Sequence, residues 1–182
     1  VTEVATSLER LKIPPPKHSG KTHFSIRGVS VGYGEKQILN NIDLEIYRGD
    51  HIAVVGNNGE GKSTLLKSLA QVLPLQKGTI ELGHQVSFAY YAQHVPESLH
   101  PKQSVFEALR EAAGDQVTDL EIRTLAGSLL FSGDDADKKI EVLSGGEKAR
   151  VALGRVLLSR APVLLLDEPS NHLDIQSSES LA

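Results

Sequence analysis

The sequence has no cysteine, methionine or tryptophan, and aromatic residues make up only 4% of its 182 positions. Without cysteine, disulfide bonds and thiolate metal sites are excluded. A membrane-spanning helix needs about 18 consecutive apolar residues, whereas the apolar run Val163–Leu166 has only the length of a strand. The net charge of −4 argues against a domain that binds nucleic acid through a uniformly basic surface.

The length of the chain is sufficient for one hydrophobic core but not for two. Hydrophobic residues account for 40% of the sequence and charged residues for 23%, which is ordinary for a globular domain. The chain begins with Val1 rather than methionine and stops within a predicted helix that follows Asp174. We therefore expect it to be an excerpt of a longer protein.

Residues 1–21 are basic and rich in proline. From Arg10 to Arg27 there are five Lys or Arg residues and no acidic residue, and the three prolines at 14–16 favour an extended backbone. We interpret residues 1–21 as the end of a linker, and residues 22–182 as a domain. The linker could be a solvated tether or a tether that lies near a phosphate backbone.

Predicted strands and helices alternate along the domain. Apolar or alternating runs predict strands near residues 24–31, 42–46, 52–55, 79–82, 86–92 and 163–167. Helical periodicity predicts a helix at 62–73, two helices within 103–131, one that starts at residue 144 and a last one near residue 174. This alternation is typical of an α/β fold with a largely parallel sheet.

A glycine-rich segment matches the phosphate-loop pattern G-x-x-x-x-G-K-[ST] between a predicted strand and a predicted helix. The segment consists of Gly56, Asn57, Asn58, Gly59, Glu60, Gly61, Lys62, Ser63 and Thr64. Glycines let the backbone approach phosphates, and a helix N-terminus directs N–H groups at them. Lys62 is placed to meet the β- and γ-phosphates and Ser63 to ligate Mg²⁺, whereas the acidic Glu60 should point away from the phosphates.

Two acidic residues follow the apolar run at 163–166. Asp167 and Glu168 would lie at the carboxyl edge of the sheet, where open α/β folds bind ligands. Asp167 could hold Mg²⁺ directly or through water, and Glu168 could polarise the water that attacks a γ-phosphate. The alternative is a pair of solvated carboxylates at a strand end.

A third motif opens the helix that starts at residue 144. Ser144 and Glu147 have the spacing of a capping box, and Gly145 and Gly146 leave backbone N–H groups available to an anion. The run of residues 143–150, LSGGEKAR, resembles the signature found in ABC-type ATPases. It lies 23 residues before Asp167, as it does in that family.

The resemblance to ABC-type ATPases covers nearly the whole chain. It implies an α/β P-loop NTPase fold with a mostly parallel central sheet, an antiparallel β part and a helical subdomain at about residues 95–160. Tyr33 resembles the aromatic residue that stacks on adenine, and Gln93 the glutamine that reaches Mg²⁺ and the attacking water. Asp174 resembles the aspartate of the loop after the catalytic strand.

The signature also implies a partner. In the family, its serine and glycines, here Ser144, Gly145 and Gly146, meet ATP that is bound to the opposing domain. The resemblance therefore implies a head-to-tail pair of domains with two ATP molecules at the interface.

Residues 167–174, DEPSNHLD, resemble the corresponding pattern of the ABC-F family, with Ser170 in place of threonine. ABC-F proteins carry two such domains on one chain, have no membrane domain and bind ribosomes during translation. The resemblance implies the second ATP-hydrolysing domain of a cytoplasmic protein of this kind. The alternatives are the ATPase subunit of an ABC membrane transporter and a non-enzymatic module that binds nucleotide as a switch.

The sequence departs from the family pattern at its end. The family has a switch histidine downstream of the catalytic strand, but only fifteen residues follow Asp167, and His172 is too close to that strand. We expect the C-terminal part of the domain, with its closing strands, to be missing. The excerpt by itself should then bind ATP weakly and hydrolyse little.

Overall fold

The computed structural model describes residues 14–92 and 99–169. These residues form two compact units. The first, here called the β unit, comprises Pro16–Tyr90 and Ala161–Asp167, and the second, the helical unit, is built mainly from Tyr91–Arg160. Gln93, Asp174 and residues 1–13 lie outside the described residues, so the predictions made for them are not addressed by the structure.

An antiparallel sheet of three strands is the larger sheet of the β unit. Strand β1 (Thr22–Tyr33) lies between β2 (Lys36–Tyr47) and β3 (Lys77–Leu82). Strands β1 and β2 form a hairpin, and the left-handed backbone of Gly34, with φ of 58°, makes the turn between them. Alternation in β1 buries Phe24 and Ile26 completely, as expected for a strand with one face on the core.

The second sheet pairs β4 (Phe88–Tyr91) with β5 (Val163–Leu166). The apolar run at 163–166 is thus a strand, as predicted from the sequence. Its Val163 and Leu165 are buried in the core, whereas Leu164 is 36% exposed. In the described part of the chain β5 is therefore covered mainly on one face, although its continuous apolar sequence predicted burial on both.

The hydrophobic core of the β unit joins elements that are far apart in the sequence. A helix, α1 (Lys62–Leu69), contributes Leu69 to a buried cluster with Phe24 of β1 and Leu165 of β5. The helix was predicted to continue to residue 73. It ends earlier because Gln71 adopts φ of 57°, outside the helical region.

The prediction of a strand at residues 52–55 is wrong for the described structure, where these residues belong to no strand. Ile52 is 52% exposed and Val55 is 87% exposed. Apolar and β-branched residues favour strands only where a neighbouring strand accepts their backbone hydrogen bonds. No strand among the described residues pairs with this segment.

The helical unit contains α2 (Val105–Ala112), α3 (Asp119–Ser128) and α4 (Gly145–Leu158), with short 3-10 helices at Gly133–Asp137 and Ile140–Val142. Each of the three α-helices begins with a complete capping box. Leu109 and Leu125 are fully buried between them. A Cβ atom on Gly154 would lie 2.7 Å from the Leu109 side chain, so the glycine allows α4 to pack closely on α2.

The structure confirms the α/β fold class predicted from the sequence, with an antiparallel part and four α-helices in the described residues. None of the helices in residues 14–92 and 99–169 is long and apolar enough to cross a bilayer.

The close approach of β1 and β3 at Gly83 gives a test of the sheet. A Cβ atom at this position would lie 1.8 Å from the Thr22 carbonyl oxygen, which cannot move without breaking the sheet edge. We expect Gly83→Ala to lower the free energy of unfolding by about 1–3 kcal/mol, as overpacking of a fixed neighbour does. Urea unfolding followed by circular dichroism would measure the loss.

Gly114 provides the matched control, because a Cβ atom there meets nothing within 4 Å. We expect Gly114→Ala to change the free energy of unfolding by less than about 0.5 kcal/mol. Equal losses in the two variants would contradict the packing of β1 against the end of β3.

Candidate functional site

The glycine-rich loop at residues 56–61 leads directly into α1. Gly59 and Gly61 have φ of 84° and 98°, in the left-handed region that favours glycine. A Cβ atom on Gly61 would also lie 2.8 Å from Ile38 Cγ2 and 3.0 Å from Leu39 Cδ2. Strand β2 therefore packs so closely against the end of the loop that only glycine fits at position 61.

The N-terminus of α1 has no side-chain cap and no acidic residue in its first turn. In α2, α3 and α4, by contrast, a Ser or Thr side chain accepts a hydrogen bond from a first-turn N–H group. The first N–H groups of any α-helix have no partner within the helix, and the helix dipole adds partial positive charge there. Helix α1 thus leaves its first N–H donors open to an anion. In the other three helices, the capping side chains already satisfy part of these donors.

The side chain of Lys62 is held over the loop by carbonyl groups of the loop backbone. Its ammonium Nζ donates hydrogen bonds to the carbonyl oxygens of Gly56, at 2.7 Å, and Asn57, at 2.9 Å. The side chain is half-buried and forms no ion pair with another described residue. The ammonium group has three donors and can therefore turn one of them to a phosphate while it stays on the loop.

The carboxylate of Glu60 is used inside the loop. Its Oε2 accepts a hydrogen bond from the Asn57 backbone N at 2.7 Å, and its Oε1 accepts one from Asn57 Nδ2 at 2.8 Å. These bonds, the side-chain one first, hold the pKa of the Glu60 carboxyl below its usual value. The negative charge of Glu60, which is unusual in a phosphate-binding sequence, is therefore compensated by the N–H donors of Asn57.

Ser63 and Asp167, which were both predicted as metal ligands, lie in contact although 104 residues separate them. The Ser63 hydroxyl donates to Asp167 Oδ1 at 2.8 Å. Asp167 follows the last residue of β5, and only 2% of its surface is exposed. The buried carboxylate of Asp167 thus faces Ser63 in the first turn of α1.

Tyr90, a residue that the sequence analysis did not single out, reaches the other carboxylate oxygen. Its hydroxyl donates to Asp167 Oδ2 at 3.4 Å. Burial, followed by the charge of Asp167 and this hydrogen bond, raises the pKa of the Tyr90 hydroxyl to about 12. No general sequence pattern marks a strand tyrosine as the partner of an aspartate on the neighbouring strand, so only the structure could identify it.

These oxygen ligands fit Mg²⁺. A hydroxyl and a carboxylate are hard donors, and Mg²⁺ commonly binds one or two carboxylates and completes its shell with water and substrate phosphates. In the described residues no group of three or more His, Cys, Asp or Glu side chains could hold a metal ion. Ser63 and Asp167 would supply two oxygen ligands to a magnesium ion, and water and phosphate oxygens would supply the others.

Tyr33, predicted to stack on adenine, lies at the end of β1 beside the hairpin turn. Its side chain is among the exposed large hydrophobic groups, with 51% of its surface accessible. The Gly34 carbonyl that follows accepts a hydrogen bond from Gln76 Nε2 at 2.8 Å, which holds the turn. The exposed ring is available for stacking.

The signature segment belongs to the helical unit. The Ser144 hydroxyl accepts a hydrogen bond from the Glu147 backbone N at 3.2 Å, and Glu147 Oε2 accepts one from the Ser144 backbone N at 2.7 Å. Gly145 and Gly146 are the first two residues of α4, whose N–H groups have no acceptor within the helix. The predicted capping box is confirmed, and it leaves donors at the helix start.

Glu168, the predicted general base, directly follows Asp167 and has φ of 50°. A positive φ is uncommon for a non-glycine residue and is frequent where a backbone is held at a functional site.

Of the predicted site residues, the structure brings Lys62, Ser63 and Asp167 together within the β unit.

Comparison with known proteins identifies the family to which the chain is similar. Residues 39–171 match the family model described as ABC transporter. The chain is 43% identical over 166 residues to YdiF of Bacillus subtilis, which covers 91% of the chain and 26% of that protein. It is 39% identical over 173 residues to ABC transporter F family member 5 of Arabidopsis thaliana, which covers 94% of the chain and 25% of that protein.

Solved structures show the same fold. An ABC transporter ATP-binding protein from Pyrococcus furiosus aligns with a TM-score of 0.67 and 30% identity, over 80% of the chain and 75% of that protein. A bacterial Atm1-family ABC exporter with ATP bound aligns with a TM-score of 0.70 and 24% identity, over 88% of the chain and 31% of the exporter chain. The second likeness supports the fold alone.

The chain spans about a quarter of the length of its curated relatives. The resemblance to ABC-type ATPases that the loop and signature motifs predicted is confirmed, and F-family names occur among those relatives. Since the family model covers most of the described residues, including the loop and the Asp167 strand end, the chain belongs to the ABC transporter family and is one of its ATP-binding domains.

Proposed function

We propose that the chain binds and hydrolyses ATP with Mg²⁺ as the second ATP-binding domain of an ABC-F protein that acts on the ribosome. The observation that carries the nucleotide part is the buried Ser63–Asp167 pair beside the uncapped start of α1. It combines donors for a phosphate chain with oxygen ligands for its magnesium ion.

Each residue of the loop has a distinct part in the proposed reaction. Lys62 would turn from the Gly56 and Asn57 carbonyls towards the β- and γ-phosphates, and the free N–H groups of α1 would bind the phosphate oxygens. Tyr33 would stack on the adenine. Because the donors are already placed by the fold, little reorganisation is needed when the phosphates arrive.

The metal and the attacking water would be handled at the strand end. Ser63, Asp167 and Gln93 would hold Mg²⁺, which when bound would neutralise charge on the phosphate oxygens. Glu168 would accept a proton from the attacking water as general base. The positive φ at Glu168 is consistent with a backbone held for function.

A second ABC domain would complete the site. The Ser144 hydroxyl retains its own O–H donor while it accepts the capping bond, and Gly145 and Gly146 supply backbone donors. Facing the γ-phosphate of ATP bound to a partner domain, these groups would join the two domains. Hydrolysis would remove that shared anion and let them separate.

The F-family relatives and the DEPSNHLD run favour action on the ribosome over transport. We propose a cytoplasmic location for the same reason. The alternative is the ATPase subunit of a membrane transporter, since the family model that matches the chain is described as ABC transporter. A full-length protein that carries this sequence should sediment with ribosomes when Glu168→Gln blocks hydrolysis of bound ATP, and Ser144→Ala should abolish this. Sedimentation with membranes instead would favour the transporter.

Glu168→Gln tests the general base. The substitution retains size and hydrogen bonding but removes the proton acceptor, so we expect phosphate release to fall at least about 100-fold. ATP affinity, measured by calorimetry, should change little. Glu141→Gln, which neutralises an exposed acid of the helical unit, is the control. Unchanged phosphate release in Glu168→Gln would show that another group activates the water.

Ser144→Ala and Thr118→Ala separate capping from the proposed contact with ATP. Both side chains cap a helix in the same way, so each variant should lose about 1 kcal/mol of stability. Only Ser144→Ala should also weaken ATP-dependent pairing of domains, observed by light scattering in the Glu168→Gln background. If both variants pair equally well, the signature serine acts as a cap alone.

A further inference from the structure

We propose that Tyr90 is a positioning residue for the proposed magnesium site, where its hydroxyl orients the Asp167 carboxylate. The inference rests on the proposed function, because it assigns a role toward the metal that Asp167 would hold. It adds a residue from β4 to a site otherwise formed by the loop helix and the end of β5.

The two oxygens of Asp167 have different partners. Oδ1 accepts a hydrogen bond from Ser63 at 2.8 Å, and Oδ2 accepts one from Tyr90 at 3.4 Å. The first distance is normal and the second is long, so Tyr90 restrains the group more weakly than Ser63. A carboxylate with a donor on each oxygen cannot rotate freely about its last side-chain bond. Tyr90 therefore helps to keep Oδ1 turned to Ser63.

Burial makes this second donor important. Only 2% of the Asp167 surface is exposed, so water cannot readily replace a lost partner. Hydrogen bonds to a charged acceptor are stronger than those between neutral groups, and the low dielectric of the interior strengthens them further. Among the described residues no ion pair balances the Asp167 charge, and the hydroxyl groups of Ser63 and Tyr90 donate to its carboxylate.

The position of Tyr90 is itself fixed. The side chain packs, partly buried, against the core cluster that contains Phe24 and Leu165, and its strand pairs with β5. A tyrosine hydroxyl is protonated at physiological pH, so the group is a hydrogen-bond donor there. Tyr90 thus has the properties of a rigid outer partner that orients a metal ligand.

The neighbouring tyrosine offers a matched control. Tyr91 is almost fully buried, and its hydroxyl has no hydrogen-bond partner among the described residues. Tyr91→Phe removes the same atom from the next position of the same strand without removing a contact to Asp167. A general effect of losing a buried hydroxyl in β4 would appear in both variants.

The experiment is calorimetric titration of a full-length protein that carries this sequence, and of its two variants, with ATP, once with Mg²⁺ and once with a chelator. The readout is the ratio of the metal-free to the Mg²⁺-containing Kd. Loss of an outer partner of a metal ligand commonly costs 10- to 100-fold in metal affinity. Because the Tyr90 contact is long, we expect Tyr90→Phe to lower the ratio about tenfold, with an unchanged metal-free Kd. Tyr91→Phe should leave both values unchanged.

Asp167→Asn provides the second background. If Tyr90 acts through the carboxylate, Tyr90→Phe should not lower the ratio further once Asp167→Asn is present. If Tyr90→Phe does not fold, Tyr90→Gln and Tyr90→Leu replace it, and the variant that keeps a donor should retain the higher ratio.

Three results would overturn the inference: a Tyr90→Phe ratio equal to that of the unmodified chain, an equal rise of both Kd values, or additive effects of Tyr90→Phe and Asp167→Asn. If the unmodified full-length protein binds no ATP, the proposed function fails and this inference fails with it. If it binds ATP with a Mg²⁺-dependent Kd that Tyr90→Phe leaves intact, only the role of Tyr90 fails.

Discussion

The hydrogen bond from Ser63 to Asp167 is the contact on which the β unit depends for its chemistry. It joins the first turn of α1 to the end of β5 across 104 positions of sequence. Neither end can move alone, because Leu69 of α1 and Leu165 of β5 belong to the same buried cluster. The hydrophobic core thus determines where a phosphate loop and an acidic strand end meet. The proposed pair of metal ligands is thus brought together by apolar packing.

The starts of the helices show a second constraint. In three of the four described α-helices, a Ser or Thr hydroxyl accepts a hydrogen bond from a first-turn N–H group. A Glu carboxylate in the same turn accepts one from the backbone N–H of the cap residue. Helix α1 has neither device, and its cap residue is Gly61. A glycine cap is less favourable than a Ser, Thr, Asp or Asn cap by about a few tenths of a kcal/mol, so the free chain gives up some stability where a bound anion could supply it. Binding of phosphate would therefore stabilise the folded β unit through linkage.

The sequence predicted those features that depend on local rules. Capping-box spacing identified the starts of α2 and α4, and the glycine pattern identified the loop before α1. Asp167 was predicted from its place after an apolar strand. The strand at residues 52–55 was predicted on the same apolar evidence and is wrong for the described structure, because strand formation also needs a pairing edge that the residues themselves cannot supply.

What the sequence could not predict depends on where side chains turn in three dimensions. Glu60 was expected to point away from the phosphates, but the partner of its carboxylate, Asn57 three residues earlier, was not predicted. An acidic residue in a phosphate loop repels the ligand less when neighbouring N–H groups already compensate its charge. Both donors belong to Asn57, one from its backbone and one from its side chain. The hydrogen bonds between Asn57 and Glu60 therefore reduce the repulsion between the Glu60 carboxylate and a phosphate. The chemistry of the loop is thus a property of how its side chains bind one another, in addition to its glycine spacing.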